Sequence, residues 1–326
     1  VQRQDDSLME GPDPEHSANP QHAEKPELYA GIALLLAAEF SFALATVFVK
    51  IITSSSKVQA IELSFFRFLA GFILVLGYVL VRRKNLVPVK TKYVAMRAFF
   101  NTFAVIFFFM GVQYSTVTKV NILNMTYPLF VFLLSPVINR EHTSPVYYLY
   151  LLLTLAGLYF IVVPDAASLV SSGINIGDLM GLASGIIAGF AITSLREARK
   201  YDHAYIILFY LMAFGAAANL VLVAPVFVVP RGIILVHCIA ATVLSVIGQL
   251  CITVGYRYIN AAAGSLVSTS RILFAVLMGA VILSENITVR IIAGGLMILV
   301  SLAGVGGLGR MARESLFKNK TEKGSL

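Results

Sequence analysis

The chain has 326 residues, of which 58% are hydrophobic and only 13% charged, and its mean hydropathy is +0.83. These values exclude an ordinary soluble domain, whose helices need polar faces throughout. The formal charge of +8 would point to nucleic acid in a soluble protein, but in so apolar a chain it reads as Lys and Arg gathered in the loops on one side of a membrane, and no nucleic-acid partner is expected.

Residues 1–28 are acidic and rich in Pro, Asn and Gln, without the basic start and apolar core of a signal peptide, and are expected to form a disordered cytoplasmic tail. Apolar runs of about 20 residues then follow one another, the length that crosses a bilayer core. They predict spans near 29–49, 59–81, 93–113, 119–138, 145–163, 177–195, 204–229, 233–256, 260–283 and 289–308. The expected fold is an all-α membrane protein with ten transmembrane helices. With the N-terminus inside, the tails and even-numbered connections hold seventeen of the 25 Lys and Arg residues. The opposite connections hold five, Lys50, Lys57, Lys119, Arg231 and Arg290. That asymmetry puts both termini in the cytoplasm, in a multi-pass protein of the inner (plasma) membrane.

Self-comparison reveals a repeat. A shift of 144 residues aligns YSTVTKVNILNMTYPLFVFLLSPVINRE (114–141) with YINAAAGSLVSTSRILFAVLMGAVILSE (258–285) without a gap, matching Tyr114 with Tyr258 and Glu141 with Glu285. Gly71/Gly215 and Gly111/Gly255 keep the same register. Each unit has an odd number of spans, so the second enters the membrane the other way up. The expected organisation is two inverted five-helix repeats, 29–163 and 177–308, joined by a loop at 164–176 and followed by a basic cytoplasmic tail at 309–326. Glu141 and Glu285, at opposite membrane faces, read as helix-terminus anchors rather than ligands.

Ten spans in two halves, a Glu closing the fourth span of each, SFFRFLAG at 64–71, TYPLF at 126–130 and GDLMGLASGIIAGFA at 177–191 resemble EamA-type members of the drug/metabolite transporter superfamily. The resemblance covers residues 29–308 and implies a secondary transporter, in the exporting direction, with its substrate cavity between the halves. It departs from the family in having no Trp, and in Arg271-Ile272 where a second Tyr-Pro would stand. The expected partners are a small-molecule substrate such as an amino acid and the bilayer, with protons as a candidate coupling ion and a monomer or homodimer as the assembly. Proton-coupled efflux of cationic drugs, or a channel or facilitator, are the alternatives.

No cofactor or metal site is expected, since no His pair stands at ligand spacing and NIGD at 175–178 lacks the first Gly of a GxGD protease motif. The chain does not read as an enzyme. Asp178 is expected to cap its helix, and Cys238 and Cys251, thirteen residues apart in one span, cannot bridge.

The polar residues inside spans carry the functional expectations. Glu39, Arg67 and Arg271 lie near mid-depth, where a lone charge costs about 2.5–3.5 kcal/mol on insertion scales, so each needs a partner or a wet cavity. Arg97 lies near its span's start, within reach of the cytoplasmic surface by snorkelling. Asn121, Asn124 and Tyr127 recur every three residues on one flank, and the shift of 144 sets Ser265, Ser268 and Arg271 against them. Interhelical hydrogen bonding is the bland reading of that flank, and substrate binding the functional one. The candidate substrate-binding set is Glu39, Arg67, Asn101, Asn124, Tyr127, Ser268 and Arg271. Asn101, Asn219 and Gln249 are amides that a neighbouring helix can satisfy, and Gly181, Gly185 and Gly189 allow close helix packing. YAGIALLLAAEFSFALATVFVK at 29–50 resembles the first span of small multidrug resistance proteins, where a membrane Glu exchanges protons. Glu39 is thus the candidate proton-coupling residue, against a plainer Glu39–Arg67 ion pair. Reporter fusions after residues 90, 141, 200 and 320 should all read cytoplasmic, and an external signal from a correctly inserted fusion would refute the topology.

Overall fold

The computed structural model describes residues 25–114, 120, 123–141, 143–162, 175–283 and 288–305, which contain helices and no strand. In chain order these are α1 (Lys25–Ser55), α2 (Ala60–Arg82), α3 (Thr91–Tyr114), α4 (Tyr127–Ile138), α5 (Pro145–Val162), α6 (Ile176–Ala198), α7 (Ala204–Val223), α8 (Ile233–Gly255), α9 (Ala261–Ser268), α10 (Ser270–Leu283) and α11 (Val289–Val305). Six of these, and α9 with α10 as one span, are long and apolar enough to cross a membrane; α4, α5 and α11 are shorter and apolar. Asn121, Glu285, the tail up to residue 24, the connection at 163–174 and the residues from 306 onward lie outside the described set. Helix α1 starts at Lys25, within the stretch expected to be tail, where Pro26 and Glu27 supply the fixed φ and negative charge favoured in a first turn. Asn175 and Asp178 cap α6 reciprocally, each side chain accepting the other's backbone N–H at 3.0 and 3.1 Å. Cys238 and Cys251 are free, and both belong to α8.

One end of the bundle gathers the α2–α3, α4–α5, α6–α7 and α8–α9 connections, with Arg82, Arg83, Lys84, Arg140, Lys200 and Arg257. It is called the basic end below. The repeats meet across it and the membrane core in reciprocal fashion. A Cβ on Gly71 of α2 would lie 2.6 Å from Met212 Sδ of α7, while one on Gly215 of α7 would strike the Phe68 ring of α2. Phe68/Met212 and Gly71/Gly215 are both pairs related by the 144-residue shift, so each residue meets its partner's equivalent. This is the signature of a two-fold-related interface within one chain. The fifth helices repeat it: Gly157 of α5 meets the Gly294 carbonyl of α11, and in the image of that contact under the same shift Ser301 Oγ donates to Tyr150 O at 3.1 Å. Thr154 Oγ1 donates to Ser301 Oγ at 2.8 Å in the same contact.

Close approach also explains the glycine stripe of α6. A Cβ at Gly185 would lie 2.7 Å from the Leu123 carbonyl, and one at Gly189 2.6 Å from Phe130 Cβ. Both fourth spans tighten near mid-length. Thr126 N–H donates to Leu123 O and Leu129 N–H to Thr126 O, and Thr269 and Ile272 repeat this with Leu266 O and Thr269 O. Each threonine hydroxyl also donates to the same carbonyl at 2.6 Å, an alternative to the regular ladder. These two turns are 143 residues apart, one fewer than the gapless alignment gives, so the turns pair Tyr127 with Ser270 rather than with Arg271.

Replacing Gly157 or Gly294 by Ala forces a methyl against a backbone carbonyl that has no rotamer to change, and should destabilise by roughly 1–3 kcal/mol. Gly77→Ala, with nothing within 4 Å of the new carbon, should leave thermal unfolding in detergent unchanged or slightly raised. Equal melting temperatures for all three variants would contradict the packing.

Candidate functional site

A cavity of about 900 Å³ lies between the repeats, the usual place and size for a small-molecule site. Its walls run from Glu39, Arg67, Asn101, Asn124, Tyr127, Gln249 and Arg271 at mid-depth to Lys50, Lys57, Gln59, Met110 and Val226 at its mouth. The mouth is at the end opposite the basic end, where α1, α3 and α7 finish. Six of the seven residues singled out in the sequence therefore share one cavity. Ser268 does not line it: it is buried on α9, whose residues from Ala261 to Ser268 are all buried.

At the floor, Glu39 is fully buried, and its Oε2 accepts from Arg271 Nε at 2.6 Å. Its other oxygen, Oε1, has no hydrogen-bond partner among the described residues. The ion pair with Arg67 that the sequence left open is not formed. Arg67 instead donates from Nη2 to Gln249 Oε1 at 3.1 Å, and its guanidinium lies 5.4 and 5.3 Å from the ring centres of Phe42 and Phe68. The Arg271 guanidinium is 4.8 Å from the same Phe42 ring. Two cations thus share one aromatic face-partner, and a single carboxylate serves only one of them. The reason is reach: α1 packs directly against α10, while α2 delivers Arg67 towards α8 and Gln249.

Phe42 has a functional position that sequence reasoning missed. Its signal was there, since it follows Glu39 by three residues and so stands on the same face of α1. Asn124 Nδ2 donates to Ser184 Oγ at 2.7 Å, and that hydroxyl donates to Ala104 O at 2.8 Å. The Asn124 amide is thus occupied between helices, although the residue lines the cavity. Tyr127 reaches Ser265 O at 3.4 Å, and Asn101 Nδ2 is buried without a partner among the described residues. Asn219 bonds within its own helix, to Gly215 O at 2.8 Å, and stands apart from the cavity.

The basic end is closed by charges. Glu141 accepts from Arg196 Nε at 2.7 Å and from Ala261 N–H, in the first turn of α9, at 2.9 Å. Arg196 Nη1 donates in turn to the Tyr256 and Arg257 carbonyls at 3.0 and 2.6 Å. Lys200 joins Asn139 O and Glu197, both at 2.7 Å, and Asp202 accepts the Val89 and Lys90 N–H groups at 2.6 and 3.0 Å. Glu141 therefore links the end of the first repeat's fourth span to α6 and α9 of the second. Arg97 does not snorkel, because it is 1% exposed and donates inward to Ala191 O at 3.1 Å.

A cavity between two inverted five-helix repeats, open at one end and locked by ion pairs at the other, defines a membrane transporter of the inverted-repeat class. The EamA-like transporter family matches residues 29–163 and 175–307, one match per repeat, and this chain belongs to that family. The pseudopaline exporter CntI of Pseudomonas aeruginosa strains UCBPP-PA14 and PAO1 is 27% identical over 282 residues in each case, covering 84% of this chain and 95% of that protein. An uncharacterized transporter of Helicobacter pylori strain J99 is 25% identical over 268 residues, or 76% of this chain and 85% of its own. A crystal structure 16% identical in sequence shares the fold, with a TM-score of 0.71 over 88% of this chain and 98% of that one.

Removing one partner of a buried ion pair strands the other at a cost of about 3–5 kcal/mol, whereas removing both costs far less. Arg271→Gln should therefore lower stability in detergent by several kcal/mol, with most of it recovered in Glu39→Gln/Arg271→Gln. The cycle through Glu39 and Arg67 should show little coupling. Strong Glu39–Arg67 coupling with none to Arg271 would overturn this assignment.

Proposed function

We propose that this protein is a secondary transporter that exports a small organic metabolite of net negative charge by alternating access of its two repeats, 29–163 and 177–308. The observation that carries this is the charge of the cavity. At its floor two cations, Arg67 and Arg271, face a single acid, Glu39, among the described lining residues. Uncompensated charge at membrane depth is costly, so the occupant that the cavity favours is one that neutralises it. An amino acid with an additional carboxylate fits: the guanidinium forks of Arg67 and Arg271 match carboxylates, and the orphan oxygen of Glu39 matches an ammonium group. Similarity to a pseudopaline exporter supports the outward direction. A cationic drug is the poorer occupant, since it adds to the excess. A channel fits poorly with a basic end closed by the Glu141–Arg196 pair.

With both termini in the cytoplasm of the inner membrane, as the Lys and Arg distribution favours, the cavity opens outward and Glu141–Arg196 closes the inner side. Glu39 is then the coupling group. While ionised it holds Arg271 and receives the substrate ammonium on its free oxygen; a proton taken up from the outside displaces that ammonium, and release of the proton inside restores the binding form, so proton and substrate cross in opposite directions. Purified protein in proteoliposomes should show counterflow of a labelled acidic amino acid or related polycarboxylate, and none of ethidium. In Glu39→Gln, counterflow should persist while accumulation driven by a proton gradient is lost. Ethidium transport without any anion counterflow would sink the proposal, and gradient-driven accumulation surviving in Glu39→Gln would remove Glu39 as the proton carrier.

A further inference from the structure

Arg97 is among the largest fully buried side chains in the protein. Among the described residues its one hydrogen bond is to the Ala191 carbonyl and it has no acidic partner. Its Nε is buried with no acceptor. A guanidinium held this way gains little from the protein around it, because one neutral carbonyl does not offset the loss of water from five N–H donors. It is not alone. Asn101 stands four residues further along α3, on the same face and about one turn closer to the cavity mouth. Asn101 Nδ2 is also buried without a hydrogen-bond partner among the described residues, and the Tyr256 and Ser268 hydroxyls engage each other only loosely, with no hydrogen bond of normal geometry. Most buried polar groups in proteins are satisfied. A layer in which Arg97 Nε and Asn101 Nδ2 have no acceptor among the described residues and the Tyr256 and Ser268 hydroxyls are only loosely engaged, between the floor of a transport cavity and the locked end of the bundle, is placed like a site that is used in another state.

We propose that Arg97, with Asn101, Tyr256 and Ser268, forms a second anion site one layer nearer the basic end, which receives a carboxylate of the substrate when the transporter opens to that face. All four groups can donate hydrogen bonds and none is acidic, so the ligand they suit is an acceptor with negative charge. Asn101 belongs to both layers, since it lines the present cavity, and it is the group past which the ligand is handed on. The Glu141–Arg196–Ala261 closure lies beyond Arg97 towards the basic end, so breaking it admits water to this layer from that side. This inference rests on the cavity being an anion path, and the experiment separates the two.

In a background with Cys238→Ala and Cys251→Ser, Ser268→Cys reports the proposed site and Thr46→Cys the present cavity, whose wall includes Thr46. Each is reacted in membrane vesicles with an anionic sulfonatoethyl and a cationic trimethylammonioethyl methanethiosulfonate, both rates being normalised to a free thiol. From the face carrying the basic end, Ser268→Cys should react roughly tenfold faster with the anionic reagent, as expected for a charge a few ångströms from a fixed cation. Arg97→Gln should bring the two rates near parity, and Arg97→Lys should keep the preference. No reaction at Ser268→Cys from that face, or no anionic preference with Arg97 intact, overturns the proposal without needing the Arg97 variants to fold. If Thr46→Cys, reacted from the opposite face, still prefers the anion, only the second site has failed. If Thr46→Cys lacks the preference too, the anion-path reading falls with it.

Discussion

The Glu39–Arg271 ion pair is the constraint around which the rest of the protein is arranged. It joins α1 of the first repeat to α10 of the second at a depth where neither charge is tolerable alone. A buried pair adds little net stability compared with an apolar contact, but losing half of it is expensive. Such a pair specifies which helices meet and makes their separation conditional on something else taking over a charge. Arg67 makes the condition asymmetric. Because Gln249 and two aromatic faces hold it without neutralising it, the cavity floor retains a positive excess whether or not Glu39 and Arg271 are paired. A carboxylate ligand can then compete for Arg271 while Arg67 keeps it in place, and the ligand's differential affinity for the two arrangements supplies what any induced change requires.

Two further kinds of contact between the repeats differ in their tolerance of movement. Backbone-to-backbone packing at Gly157/Gly294 with its image at Tyr150/Ser301, and the Gly71–Met212 and Gly215–Phe68 contacts, lie on the pseudo-two-fold relation and involve no charged groups. A rotation of one half about such contacts changes their geometry little. The charge network at the basic end is directional and spans Glu141, Arg196 and the start of α9, so it is either made or broken. On the proposed cycle the glycine contacts act as the pivot and the charges as the latch, the combination that rocking of inverted repeats needs.

Much of this was legible from sequence for physical reasons. Hydrocarbon thickness sets span length, which is why ten apolar segments could be placed, and the odd number per repeat implies inversion without any coordinates. Gly71 and Gly215 were found in register because reciprocal packing requires a small residue in both copies. The pairing of Glu39 was not legible. Both Arg67 and Arg271 sit at mid-depth, and depth is all that hydropathy reports; the rotation of α1 against α10 and of α2 against α8 decides between them. Arg97 misled for a related reason. Distance along the helix from the membrane face suggested snorkelling, but α6 covers that side of α3 and its Ala191 carbonyl receives the side chain. The one-residue difference at the fourth spans has a local cause: Thr126 and Thr269 both turn their hydroxyls onto the carbonyl three residues back, and side-chain bonding of that kind fixes the turn regardless of the flanking alignment.

The cations also form a sequence through the membrane. Lys50 and Lys57 stand at the mouth, Arg67 and Arg271 at the floor, Arg97 below them and Arg196 and Lys200 at the basic end. On the proposed function, an anion moving through these layers passes from one donor group to the next instead of crossing apolar ground. Passage requires binding that is favourable enough to enter and weak enough to leave, a balance best met by several moderate sites. Here the acids temper the cations at two of the layers, Glu39 against Arg271 and Glu141 against Arg196, so these two arginines are already engaged when a ligand arrives. Arg67 and Arg97 are tempered differently, by an amide and a carbonyl, which leaves them the stronger anion partners. On the proposed path, groups that hold a carboxylate therefore alternate with groups that release it back to a neighbouring acid.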